Sequence, residues 1–164
     1  MEMMYERTSI DDFYDLHWLA YQPTRLTTAL TSLSAEQLAL RAAPSLRSIG
    51  EIATHMIGAR ARWFMMEEDD DILAVFATWD RSGMTTRPAA ELIDGLEATW
   101  QAMQVAIASW TPTDWQWTSP GEEPDEPALI TRPWVIWHLI EHDLHHGGEI
   151  ALTLGLHGLA APDL

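Results

Sequence analysis

A chain of 164 residues with 47% hydrophobic residues, no cysteine and a formal net charge of -16 reads as one globular domain with room for a full core. Without cysteine there is no disulfide, no thiolate zinc cage and no cysteine nucleophile, so any metal must sit on nitrogen and oxygen donors. The 25 acids against nine arginines and no lysine repel a phosphate backbone and exclude nucleic acid as the expected partner. No apolar run reaches the about 18 residues of a membrane helix. The acidic start MEMMYERTSIDD lacks the basic region and apolar run of a secretory signal, which makes the cytoplasm the expected location.

The first predicted helix opens at SIDDFYDLHWLAYQPTRLTTALTSL. Ser9 suits an N-cap, Asp11 and Asp12 complement the dipole of the first turn, and Phe13, Leu16, Ala20 and Leu26 form the apolar stripe. Pro23 predicts a kink, and the lone His17 reads as a surface or hydrogen-bonded residue. SAEQLALRAAPSL predicts one short helical turn and a loop ended by Pro44. Ser48 and Glu51 then have the spacing of a capping box, and Ile49, Ile52, Met56 and Trp63 carry a second long helix to about Met66. His55 lies at the edge of that stripe. Gly58 and Ala59, three and four residues on, leave open volume beside its ring. Arg62, nearly in line with His55, is either a solvated cation or a holder of an anionic substrate group.

EEDDD at 67–71 lacks the spaced oxygens and glycine of a calcium loop and reads as a solvated face. DILAVFATW is a short helix or an irregular link. RPAAELIDGLEATWQAMQVAIASW predicts a third long helix, with Pro88 in its first turn and Leu92, Leu96, Trp100, Met103 and Ile107 along one face; it is scaffold. TPTDWQWTSPGEEPDEPALI is too broken for a helix and predicts a long loop, in which Trp115 and Trp117 either close over a site or plug the end of a bundle. Thr131 as cap and Pro133 in the first turn launch the last helix, which ends at Gly155 to Gly158.

That last helix, in WVIWHLIEHDLHHGGEIALTLGLHG, holds the chemistry, with five of the seven histidines. At about 100° per residue, Val135, His138, Leu139, His142, His146, Glu149, Ile150 and Thr153 share one face, and His142 and His146 stand one turn apart. Two imidazoles so placed can converge on one ion, about 2.0–2.1 Å from each nitrogen, with His55 the natural third ligand from another helix. His138, one turn before His142, is the rival ligand. His145 reads as a rim residue and His157 as exposed. Glu149 faces inward and is an acceptor behind a ligating imidazole, a fourth ligand or a base. His142 and Asp143 also begin an H-D-x-x-H pattern, in which Asp143 either assists a water at the ion or is an exposed acid. The paired Glu-x-x-His motifs of a diiron bundle are missing.

Four long helices and no strand pattern predict an all-α four-helix bundle. The stretches SIGEIATHMIGARARWF and WHLIEHDLHHGGEIALTLGLHG resemble the two signatures of the DinB/YfiT-like metal-binding bundles, one His on the second helix and an H-x-x-x-H pair within EHxxHHxGQI on the fourth. The resemblance implies a divalent ion on His55, His142 and His146, and because zinc, nickel, iron and manganese all accept imidazoles the sequence does not choose among them. It also implies a small-molecule substrate, possible use of a low-molecular-weight thiol in S-transfer or isomerisation, and a homodimer. A hydrolase, or a bundle that binds metal or a small ligand without catalysis, are the alternatives. Asp143 and Glu149 are then the candidate catalytic groups. Two positions depart from the motif: Gly147 stands where the family has Arg, and Glu149 where it has Gln. A Gly-Gly pair inside a helix costs about 1 kcal/mol per glycine relative to alanine, which predicts close approach of a neighbour. Three neutral nitrogen ligands leave a position open, as catalytic ions are held.

Overall fold

Capping groups and prolines mark where the helices of this chain begin, and the computed structural model places them there; it describes residues 25–65, 71–81, 87–121 and 126–161. Helix α1 (Thr27–Thr31) is followed by the single turn α2 (Ala35–Leu38), closed by a Ser34–Gln37 capping box. Helix α3 (Ile49–Met65) starts at the expected box: the Glu51 amide donates to Ser48 Oγ at 3.3 Å, and the Ser48 amide donates to Glu51 Oε2 at 2.7 Å. DILAVF forms the short helix α4 (Asp71–Phe76), and α5 (Ala89–Ser109) follows Pro88. Helix α6 (Arg132–Leu156) is the longest among the described residues. Its N-cap Thr131 accepts from the Trp134 amide at 3.2 Å, and Gly158 just beyond its end takes φ +70°.

One expectation needs correction. The stretch before α6 is more than a loop. It holds a 3-10 turn (Asp114–Gln116) and two short antiparallel strands, β1 (Thr118–Pro120) and β2 (Leu129–Thr131), paired Thr118 to Thr131 and Pro120 to Leu129. Three residues per strand are too few for an alternating pattern to register in sequence. The assignments to Ser9, Asp11, Asp12, Phe13, Leu16, His17, Ala20 and Pro23, and to Met66 through Asp70, lie outside the described residues.

The core divides along α3 and α6. At one end Leu26, Leu30, Ile52, Met56, Leu92, Leu96, Ile150 and Leu154 pack together; at the other Ala61, Phe64, Met103, Ile130, Ile136 and Leu139 do so. Early α3 meets late α6, so the two run antiparallel. Trp115 and Trp117 join the second cluster from its edge, Trp115 edge-on to Trp110 at 5.0 Å, which makes them part of the packing at that end of the bundle. Between the clusters lies a salt bridge with both side chains fully buried. Arg60 Nη2 and Nε donate to the two Asp143 oxygens at 2.8 and 3.1 Å, and Nη1 donates to the Leu96 carbonyl at 3.3 Å. This links α3, α5 and α6 at one level. No described helix is long and apolar enough to cross a membrane.

Candidate metal centre

The level of that salt bridge is also the level of the histidines. α3 presents His55 and α6 presents His142 and His146, with ring centroids 5.0 Å apart for His55 and His142, 4.9 Å for His55 and His146, and 4.4 Å for His142 and His146. One donor atom from each lies within 4.8 Å of the others. The Nε2 atoms of His55 and His142 are 3.2 Å apart. Two nitrogens held about 2.05 Å from a tetrahedral ion stand roughly 3.3 Å from one another, so the observed separation fits a shared ion.

Carboxylates behind two of the rings decide which nitrogen turns inward. Asp80 Oδ2 lies 2.8 Å from His55 Nδ1, and Glu149 Oε2 lies 2.6 Å from His146 Nδ1. An imidazole that donates from Nδ1 to a carboxylate leaves Nε2 unprotonated, the form that ligates a metal. Asp80 is itself clamped: Arg62 donates to its two oxygens at 2.5 and 3.0 Å and to the Ala77 carbonyl at 3.1 Å. His142 has no such support. Its Nδ1 is buried without a partner, and the ring is held by packing among the other histidines.

Electrostatics point the same way. Burial pushes His142 down to about 2, helped by the proximity of His146, His55, His138 and Arg60. Burial also lowers His55 and His146 from the ordinary 6.5, against the opposing pull of Asp80 on the first and Glu149 on the second. Burial raises Asp80, but its hydrogen bonds from Arg62 and His55 outweigh this and hold it below the ordinary value. The centre is therefore three neutral imidazoles backed by two carboxylates at neutral pH, a donor set that suits a borderline divalent ion.

The remaining candidates fall into place around it. His138 stacks on Trp134 at 4.9 Å and meets Trp63 edge-on at 4.9 Å; its ring is 6.0 Å from that of His142 and it is not in the cluster. His145 is at the rim, its side chain 59% exposed, with Nε2 3.8 Å from Glu149 Oε1. His157 is exposed and its Nε2 contacts the Arg41 carbonyl at 3.0 Å. Three readings change. Asp143 is neither exposed nor available as a base, because both its oxygens are taken by Arg60 in the core. Arg62 is committed to Asp80 instead of standing open to an anion. The volume beside Gly58 is filled too: a Cβ there would come 2.6 Å from Asp80 Oδ1 and 2.9 Å from Arg62 Nη1. Gly147 is buried within α6.

This arrangement has relatives. The model of the DinB superfamily matches residues 19–150, most of the chain. The chain belongs to the DinB superfamily. A DinB-like protein from Bacillus cereus has a crystal structure that superposes with a TM-score of 0.69 over 94% of this chain and 97% of its own, at 19% identity, a likeness of fold. No curated protein matches the chain. Sequence reasoning on this DinB chain missed Asp80 and Arg60. Asp80 follows the buried Trp79 in a turn after α4 and has no periodic signal. Arg60 did carry one: it continues the apolar rows of α3 at Ile52, Met56, Ile57 and Phe64, a place where an arginine needs an acid opposite.

Proposed function

We propose that this DinB bundle binds one divalent metal ion through His55, His142 and His146 and acts with it on a small molecule, in thiol-dependent S-transfer or isomerisation. The 3.2 Å separation of the His55 and His142 Nε2 atoms carries the reading, with carboxylates on the far nitrogens of His55 and His146 in support. A divalent ion in such a centre supplies Lewis acidity, lowering the pKa of a thiol or water or polarising a carbonyl.

The chain's own groups divide the remaining work. Asp80, braced by Arg62, orients His55; Glu149 Oε2 orients His146. Glu149 is partly open, its side chain 42% exposed, and Oε1 is the oxygen not taken by His146. Oε1 is therefore the place where a proton leaving an incoming thiol or water is accepted. The Arg60–Asp143 pair, with both Asp143 oxygens bonded to the guanidinium, sets the spacing of the helices.

Elemental analysis of protein purified without added metal, beside the His146→Ala variant, tests the first half of this reading. One equivalent of metal in the parent and little in the variant is expected. Low-molecular-weight thiols with electrophilic acceptors, and small esters and amides, then test the second half. A saturable rate lost in His146→Ala supports the enzyme, and hydrolysis without a thiol would select the hydrolase. Stoichiometric metal with equal background rates in both proteins would leave a metal-binding bundle without catalysis on those substrates.

A further inference from the structure

Beside the histidines, a groove of about 290 Å³ runs between the loop that precedes α3 and the C-terminal half of α6. Ile52, Leu46 and Leu152 give it apolar walls, the two leucines 51% and 59% exposed, and Glu149 joins it to the centre through its bond to His146. Arg47 is the one cation of its lining.

Arg47 differs from most arginines of this chain. Arg41, Arg60, Arg62, Arg87 and Arg132 each face a carboxylate, as expected where 25 acids surround nine arginines. Arg47 pairs with none among the described residues and is exposed. Its backbone is nonetheless held. The next residue, Ser48, is locked in the capping box of α3, and Arg41 donates to the Leu46 carbonyl and to Glu51. Among the described residues, an arginine without a carboxylate partner thus lines an apolar-walled groove that meets the histidine centre at Glu149.

We propose that this groove holds the anionic end of the substrate, a small carboxylate on an apolar stem, with the carboxylate on the Arg47 guanidinium and the reacting group at the three histidines. The inference rests on the metal-centre reading above. A planar guanidinium matches a carboxylate with two parallel hydrogen bonds, and the stem covers Leu46, Ile52 and Leu152. The groove's size is at the bottom of the range for small-molecule sites, about 300–1,000 Å³, which favours a short acid over a peptide or nucleotide.

Cobalt-loaded protein titrated with thiol acids from mercaptoacetate to mercaptohexanoate, and with mercaptoalcohols of matching length, tests this through the sulfur-to-cobalt charge-transfer band. At one favoured length the acid should bind about tenfold more tightly than the alcohol, and the preference should shrink as salt rises. It should vanish in Arg47→Ala and persist in part in Arg47→Lys. Equal affinities at every length, or an undiminished preference in Arg47→Ala, would overturn the assignment. Protein that takes up no cobalt would sink the metal centre. The groove would then be decided on metal-free protein by calorimetry with hexanoate against hexanol: an advantage of the acid that Arg47→Ala removes supports it, and no advantage overturns it.

Discussion

Asp80 Oδ2 stands 2.8 Å from Nδ1 of His55, and this contact selects the nitrogen that His55 turns toward His142. The carboxylate is held from behind by Arg62, so ring, acid and arginine form one chain from α3 through the turn after α4 and back to α3. Removing an acceptor behind a ligating histidine typically costs about 10–100-fold in metal affinity. Asp80→Ala should weaken metal binding by about that factor, measured by competition with a chelator, while Asp80→Asn, which keeps an acceptor oxygen, loses less. Unchanged affinity in Asp80→Ala would remove Asp80 from the centre.

Gly58 is where α3 makes room for that chain. A methyl group there meets Asp80 Oδ1 at 2.6 Å and Arg62 Nη1 at 2.9 Å, so Gly58→Ala must push the pair away from His55. In a helix interior this replacement alone would stabilise by about 0.5–1 kcal/mol. The expected signature is therefore split: thermal stability close to the parent, with metal affinity reduced toward that of Asp80→Ala. Parent-like affinity in a folded Gly58→Ala protein would mean that Asp80 re-seats without loss.

The helix starts and the His142–His146 pair were legible because capping boxes and the one-turn spacing of two histidines are local rules, and His55 was joined to them by the resemblance of its stretch to the family signature. What escaped depends on which face of α6 is buried. Ile136, Leu139, Asp143, His146, Ile150 and Thr153 are buried, so the stripe runs through Asp143, and His142 sits at its edge. A wheel that counts aspartate as polar places it elsewhere; the buried pair with Arg60 on α3 is what position 143 meets in the core. Asp80 was hidden for a related reason, since its place beside His55 follows from how α4 and its turn fold back on α3 and from nothing periodic in the chain.

Because Arg60 and Asp143 are both fully buried, cutting one leaves the other charged and unsatisfied. Asp143→Ala should cost about 3–5 kcal/mol in urea unfolding, and the Arg60→Met, Asp143→Leu double variant should recover most of it. Metal stoichiometry of the folded single variant should stay at that of the parent. A loss below about 1 kcal/mol, coupled to loss of catalytic rate, would return Asp143 to the chemistry.

The three histidines also set how the metal-free protein responds to acid. Each has a folded value below its ordinary 6.5, so the folded state binds fewer protons than the unfolded state once the pH falls below that value. Their contribution is fully present above pH 6.5 and is lost on acidification, for His142 down to about 2. Asp80 and Glu51, held below their ordinary 3.8 and 4.5, enter only at lower pH, so among these described groups the window between 6.5 and 4.5 belongs to the histidines. Urea midpoints of metal-free protein should fall steadily across that window, and His142→Gln, which removes the most strongly shifted ring, should flatten the slope even if it lowers the midpoint at neutral pH. Bound metal should steepen the fall, because protons must displace the ion to charge the rings. A midpoint that is the same at pH 6.5 and 4.5 in the parent would show that these rings are not held neutral by the fold.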